Sequence, residues 1–338
     1  MTPCAQPLPP PGRRVMDPAF SRFHVRLHGL LLAAGAIASA ATLLGFLGEW
    51  GWVADLFSHF RVQYFIGLSI ISILLPFLSH RRAALCFAAF AVVNLATILP
   101  LYFGKPAPPP VSAIRHRAML INVNTYHGDP AQVARAVQDH NPDLVVLEEV
   151  NESWIMRLHD TIRRYPHFRA EPRDDNFGIA LLSKFPFLKC DVVYLGDAWV
   201  PTLVAEVEAT NGTFTLIATH PVPPSGAEHT AMRNDHLQQL VPRIRQAESP
   251  VLLLGDLNVS PWNKNFQRLV RESGLKDSAQ GRGVQATWPT FSPLLLIPLD
   301  HCLHSADIRI AERKVGPRVG SDHLPLIVDF VLPVALCP

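Results

Sequence analysis

The sequence predicts an α/β domain preceded by three transmembrane helices. Three observations lead there. Apolar residues, 49% of the 338-residue chain, are concentrated in its first hundred positions. After Pro110 the pattern changes to short apolar runs separated by polar segments containing Pro and Gly, with helix-like stretches between them. Those runs repeatedly end on Asn, Glu, Asp or His, whose desolvation has to be offset by a cap, a turn or a site.

In chain order, residues 29–48, "GLLLAAGAIASAATLLGFLG", carry no charge. Such a stretch of about 20 residues crosses a hydrocarbon core of about 30 Å. Residues 62–79 and 83–103 repeat the pattern. A cleaved signal peptide has a shorter apolar core and no further spans behind it. Trp50, Trp52, Tyr64 and Tyr102 lie near the span ends, where amphipathic rings favour the interface. Arg13, Arg14, Arg22 and Arg26 precede the first span, and Arg81 and Arg82 separate the second from the third. The first connection holds Arg61 together with Glu49 and Asp55. Basic residues therefore mark the N-terminus and the second connection as cytoplasmic, which puts everything after Phe103 on the outer side. Lys105, Arg115 and Arg117 run against that pattern. The expected organisation is a tail and three spans in 1–103, a stiff Pro-rich linker in 104–114 ("GKPAPPP") and a folded domain in 115–332.

In the folded part, "AMLINVNTYHGDP" opens with a strand. Asp129 and Pro130 then supply N-cap and first-turn residues for the helix "PAQVARAVQDH". "PDLVVLEEV", "FGIALLSKFP", "TFTLIATHP", "VLLLGDLN" and "IPLDHCLHS" read as strands covered on both faces, "NFQRLVRESGL" as a helix, and "GSDHLPLIVDF" as a polar turn entering a strand. The formal charge of +2 gives no global argument for a polyanion binder. Cys4, Cys86, Cys190, Cys302 and Cys337 are odd in number and scattered without a C-x-x-C, which suggests neither a zinc knuckle nor a disulfide framework.

Asn124, Glu149, His220, Asp256, Asn258, Asp300, His301, Asp322 and His323 all fall at or just beyond an apolar strand. Singly, each has an ordinary account: a turn for Asn124, a helix-start charge for Glu149, a satisfied core histidine for His220, a cap for Asp322. Together they describe one cleft, because packed strand ends bring such residues to one edge. With no cysteine pair and no H-E-x-x-H, the metal donors are oxygens and a few imidazoles, a set suited to Mg²⁺ or Mn²⁺ completed by substrate phosphate. No G-x-S-x-G is present, and Ser321 in "GSDHLP" has no apolar strand before it, which disfavours acyl transfer through serine. A carboxylate-held divalent ion, a carboxylate to orient water and a histidine paired to a second carboxylate fit phosphoester hydrolysis.

The ordered segments "INVNTYHG", "LVVLEEV", "IALLSKFP", "IATHP", "LLLGDLN", "PLDHCL" and "GSDHLPL" resemble the DNase I-like endonuclease/exonuclease/phosphatase superfamily over about residues 115 to 332. The nearest likeness is to bacterial members with a few N-terminal membrane spans. The resemblance implies a four-layer αββα sandwich and, for the localisation, a multi-pass protein of the bacterial inner or plasma membrane with its catalytic domain periplasmic. It implies roles too. Glu149 matches the principal metal-binding glutamate, and Asn124 the asparagine that organises metal and phosphate. Asp256 and Asn258 match the pair that orients the attacking water and contacts the phosphate. Asp322 lies near the metal, His323 contacts the scissile phosphate, Asp300 orients that histidine, and His220 stands across the cleft. Arg233 and Asn176 are candidates for the phosphate side. Some members carry an acidic residue two positions after the motif asparagine; with Tyr126 at that position here, a single Mg²⁺ is expected.

The expected activity is metal-assisted, in-line attack of water on a phosphodiester or phosphomonoester. The substrate classes left open are a lipid headgroup, a nucleic acid and a small soluble phosphoester. The bilayer is the expected partner through the three spans, and no protein partner is identifiable. The competing readings are a nuclease acting on DNA or RNA, for which no long Lys/Arg track is visible after residue 120, and an inactive scaffold of the same fold.

Overall fold

Long apolar stretches with few interior breakers favour helices, and four α-helices lie between Leu27 and Ile98. The structure is a computed structural model and describes residues 27–105 and 107–333. Arg13, Arg14, Arg22 and Arg26, used above for orientation, lie outside the described residues, as do Cys4 and Cys337. The helices are α1 (Leu27–Leu44), the short α2 (Trp52–Phe57), α3 (Arg61–Leu74) and α4 (Arg81–Ile98). Single 3₁₀ turns at Leu75–Leu78 and Leu99–Tyr102 extend α3 and α4. Three stretches, Leu27–Leu44, Arg61–Leu78 and Arg81–Tyr102, are long and apolar enough to cross a membrane. α1 stops four residues short of the expected Gly48, where the chain meets α2: a Cβ on Gly45 would lie 2.6 Å from the Phe57 carbonyl oxygen. Leu68, Ile71, Leu75, Phe87 and Ala91 form the seam between these helices. Buried Arg61 donates to the Thr42 carbonyl (2.9 Å) and to Asn94 Oδ1 (3.4 Å), so its charge is not left alone among apolar neighbours.

Between residues 116 and 333 the chain builds two six-stranded mixed sheets and five α-helices, with a 3₁₀ turn at Pro293–Leu295. In chain order these are β1 (His116–Asn122), α5 (Pro130–His140), β2 (Leu144–Glu148), α6 (Glu152–Arg157), α7 (His159–Ile162), β3 (His167–Glu171) and β4 (Ile179–Ser183). Then come β5 (Phe187–Tyr194), β6 (Pro201–Ala209), β7 (Gly212–Thr219), α8 (Ala227–Arg245), β8 (Val251–Asp256) and α9 (Lys264–Ser273). The last strands are β9 (Lys276–Asp277), β10 (Asp300–His304), β11 (Arg309–Val315) and β12 (Leu326–Val331). One sheet runs β11-β12-β1-β2-β4-β3 and the other β5-β6-β7-β8-β10-β9. Each has one parallel pair, β1 with β2 and β7 with β8, bridged by α5 and α8 respectively. Asp129 caps α5 by accepting the Ala131 N–H at 2.9 Å, with Pro130 in the first turn.

The two-residue period of a strand explains the layers. Ala118, Leu120, Leu144 and Val146 face the other sheet, where Leu203, Phe214, Leu252 and Leu254 meet them. Their neighbours Met119, Ile121, Val145 and Leu147 face outward onto Val133, Val137 and Trp154 of α5 and α6. Ile217, Val251 and Leu253 likewise face Leu237, Leu240, Phe266 and Leu269 of α8 and α9. The result is the four-layer αββα sandwich, and it accounts for strands that are apolar on both faces.

The N-terminal helices are packed against this sandwich. Ile98, Leu101, Val62 and Phe65 share a cluster with Trp262, Ala279 and Val284. The connection between α1 and α3 lies on the same side, with Glu49 paired to Arg268 and Asp55 to Arg233.

Candidate active site

Strand register brings the polar residues to one edge. Asn122 at the end of β1 sits opposite Glu148 at the end of β2. In the facing sheet, Asp256 at the end of β8 sits opposite Asp300 at the start of β10. Glu148 is fully buried and its carboxylate accepts the Asp256 N–H (3.1 Å), fastening the two sheets where their ends meet. The glycine before Asp256 is required by space: a Cβ there would lie 2.0 Å from the Thr219 carbonyl oxygen. Backbone strain gathers at the same edge. Asn124, Glu149, Asn176 and Asn258 all have left-handed φ, between 51° and 68°. Such a conformation costs a non-glycine residue about 1–2 kcal/mol and concentrates at functional sites.

Asp256 is the hub. Its Oδ2 lies 3.3 Å from Asn122 Nδ2, 3.5 Å from His323 Nε2 and 3.6 Å from His220 Nε2, while Oδ1 accepts the Asn258 N–H at 3.0 Å. Behind His323, Nδ1 contacts Asp300 Oδ2 at 2.9 Å. Asn258 Nδ2 donates to the Pro221 carbonyl and lies 3.2 Å from His220 Nε2. Glu149 Oε1 accepts from Asn122 Nδ2 at 2.9 Å. Asp322 accepts from Asn124 Nδ2 (2.7 Å) and from Trp288 Nε1 (2.9 Å). Glu149, Asn176, His220, Asp256, Asp322 and His323 all line one cavity of ≈ 520 Å³.

Burial alone would lower the His323 pKa, but the Asp300 and Asp256 carboxylates outweigh it and hold the imidazolium up to about 10. Burial resists charge on Asp300 as well, and His323 overrides that, keeping the carboxylate below its ordinary value. Asp256 is pushed up to about 7 by burial, His323 opposing and Asp300 adding to the rise. Burial, followed by the nearby His323, presses His220 down to about 3, so it is neutral. Burial raises both Glu148 and Glu149, Glu148 well above the ordinary range. Five carboxylates thus crowd an edge where His323 is the one site imidazole held charged. Burial works against ionising Glu148, Glu149 and Asp256, and a divalent cation at this edge would favour their charged forms. Among the described residues no three His, Cys, Asp or Glu side chains form a complete metal-binding group. A hard ion such as Mg²⁺, held by one or two carboxylates and water, suits that donor set.

The structure revises several expectations. The amide that touches both Glu149 and Asp256 is Asn122, inside the strand, and Asn124 two residues on holds Asp322 instead. The position two beyond the central asparagine is therefore Asn124, and Tyr126 is 67% exposed with its hydroxyl on the Asp174 carbonyl. Arg233 does not line the cavity. It is fully buried and its guanidinium is spent on Asp55, Asn234 and the Asn258 carbonyl. His301 points to the opposite face of β10 from Asp300, where its Nε2–H donates to the Val259 carbonyl (2.7 Å) and its ring packs on Phe266. Asn176 lines the cavity as a phosphate-side residue would, and its buried Oδ1 has no partner in the protein. Trp288 gave no signal in the sequence, since a tryptophan beside a proline reads as packing. Asn122 did give one: an amide inside "MLINV" is an unpaired polar group in a buried strand.

The fold and this edge agree with what the chain resembles. Over residues 119–323, more than half of its length, it matches the model of the endonuclease/exonuclease/phosphatase family. The chain belongs to that family. Among curated proteins it is 24% identical over 155 residues to exodeoxyribonuclease III of Haemophilus influenzae, a match covering 41% of this chain and 56% of that protein. The match thus spans little more than half the length of that relative. Among solved structures, the endonuclease/exonuclease/phosphatase from Beutenbergia cavernae superposes with a TM-score of 0.52 at 20% identity, covering 65% of this chain and 72% of that one. TDP2 of D. rerio, complexed with single strand DNA product, superposes at 0.55 and 18% identity, covering 64% and 98%. At these identities the structural likeness speaks for the fold.

Proposed function

We propose that this chain is a membrane-anchored, Mg²⁺-dependent phosphoester hydrolase whose catalytic domain faces outward from a bacterial inner or plasma membrane. The observation that carries it is the Asp256 carboxylate set among Asn122, His220 and His323, with Asp300 behind His323. Glu149, held by Asn122, and Asp322, held by Asn124, would hold the ion. When bound, Mg²⁺ neutralises charge on the phosphoryl oxygens.

The chain's own residues account for the rest. Asp256, with a pKa near neutrality, orients the attacking water and takes its proton, the match a general base needs. The water oxygen forms the new bond to phosphorus as the bond to the leaving oxygen breaks, and that oxygen takes its proton from bulk water, to which Asp256 returns the one it accepted. The His323 imidazolium, kept charged by Asp300, donates to a phosphoryl oxygen and stabilises the charge that builds there. Asn258, positioned by the Asp256 carboxylate, and Asn176 supply neutral contacts to the phosphate.

A nuclease reading takes support from exodeoxyribonuclease III among the relatives. Against it, the described cavity wall carries no Lys or Arg, which contacts to a polyanionic strand call for. In the test, full-length protein stripped with a chelator should fail to hydrolyse bis(p-nitrophenyl) phosphate and recover on adding Mg²⁺. Undiminished hydrolysis after stripping would refute the metal dependence.

A further inference from the structure

We infer that the connection between the first two membrane helices forms one wall of the catalytic cavity, and that the substrate is a phosphate ester carried on a bilayer lipid. The inference rests on the phosphoesterase reading and narrows its substrate. Leu56, His59 and Phe60 of that connection line the same ≈ 520 Å³ cavity as Glu149, Asp256 and His323. Phe60 immediately precedes Arg61, the first residue of the second candidate span. The cavity therefore reaches the level at which that helix enters the apolar layer.

The wall is built in. Asp55 Oδ1 accepts from Arg233 Nη2 (2.8 Å) and Asn263 Nδ2 (2.6 Å), with Asp55 and Arg233 both fully buried. His59 Nδ1 contacts Ser260 Oγ at 3.0 Å, two residues beyond Asn258. Arg233 also donates to the Asn258 carbonyl, so the membrane connection and the catalytic loop share one ion pair.

A second segment marks the same level. Gln63, in the first turn of α3, donates to the Leu296 carbonyl at 2.8 Å, which ties the segment 291–296 to the start of the span. On that segment Phe291 is 73% and Leu294 82% exposed. Large apolar side chains beside a membrane-entering helix are suited to the interface rather than to water. The same segment leads directly into Ile297 and Leu299 on the cavity wall. Aromatic and aliphatic walls without Lys or Arg suit an amphiphile whose phosphate reaches Asp256 and His323 while its chains stay in the bilayer. Hydrolysis would break the phosphorus–oxygen bond to the acyl-bearing alcohol of that lipid, water supplying the new oxygen on the released phosphate ester and the proton on the alcohol left in the bilayer.

The test uses full-length protein reconstituted into vesicles of bacterial polar lipid extract with Mg²⁺. Water-soluble phosphorus released from the lipid and hydrolysis of bis(p-nitrophenyl) phosphate are measured on the same sample, with single-stranded DNA as a third substrate. The lipid should be cleaved. Phe60→Ser, and separately Leu294→Asp outside the cavity, should each lower the ratio of lipid to soluble-diester rates by about tenfold or more, the scale of a lost apolar contact. Hydrolysis of the soluble diester or DNA without release of lipid phosphorus overturns the lipid inference and leaves the phosphoesterase reading standing. Lipid cleavage with an unmoved ratio in both variants overturns the wall. No turnover of any substrate overturns the phosphoesterase reading and the inference with it.

Discussion

Removing the carboxylate of Asp55 tests how the membrane connection is joined to the catalytic domain. Burial opposes the Asp55 charge, yet the His59 contact and the Arg233 guanidinium hold its pKa well below the ordinary carboxylate range. Arg233 has no exposure, and among the described residues Asp55 is the one acid within ion-pair distance of it. In Asp55→Ala the guanidinium is stranded, and breaking a buried pair from one side costs about 3–5 kcal/mol. At 2–4 °C per kcal/mol for a domain of this size, the midpoint of thermal unfolding should fall by roughly 10 °C. Calorimetry of the detergent-solubilised full-length protein measures it. The paired change Asp55→Leu with Arg233→Met leaves no charge behind and should recover most of the loss. A midpoint for Asp55→Ala within about 1 °C of wild type would refute the reasoning, because a pair that mattered could not be cut so cheaply.

Two further outcomes are expected. His236 is fully buried against Thr219 Oγ1 (2.7 Å), and burial presses its pKa down to about 4 from 6.5. The unfolded chain then binds the proton first as pH falls, so the contribution is whole above about 6.5 and is lost progressively toward 4, by about 3 kcal/mol in total; denaturant unfolding of His236→Gln should fall less steeply across that window than wild type, and equal slopes would contradict it. A reporter fused after Pro338 should be active on the outer side of the membrane and one at the connection before Arg81 on the inner side, the reverse pattern overturning the orientation.

The sandwich was legible because strands buried on both faces look alike wherever they occur: "LVVLE" and "VLLLGD" have apolar residues on both the sheet-facing and the helix-facing side. The site residues stood out by contrast, as carboxylates and imidazoles ending such runs. Asn122 is less legible because Val123 continues the apolar run beyond it, and one alternation of the strand decides whether an amide faces a cleft or a core. Arg233 is illegible for a different reason. A sequence gives no sign that an acid 178 positions earlier returns to neutralise an arginine on α8. In the sequence Asp55 counts only as a charge in the first connection between spans, since the docking of that connection onto the catalytic domain is a tertiary fact.

The central claim is that side chains from the ends of β1 and β8 and from the turn before β12 act together on one phosphate. Its most direct measurement is kcat for a soluble phosphodiester at saturating Mg²⁺ in Asn122→Ala, Asp256→Ala and His323→Ala, with Arg163→Ala at an exposed helix end as control. Each of the three should lose about 10²-fold or more, and the control should match wild type. Folded Asp256→Ala and His323→Ala proteins that retain full activity would contradict the account.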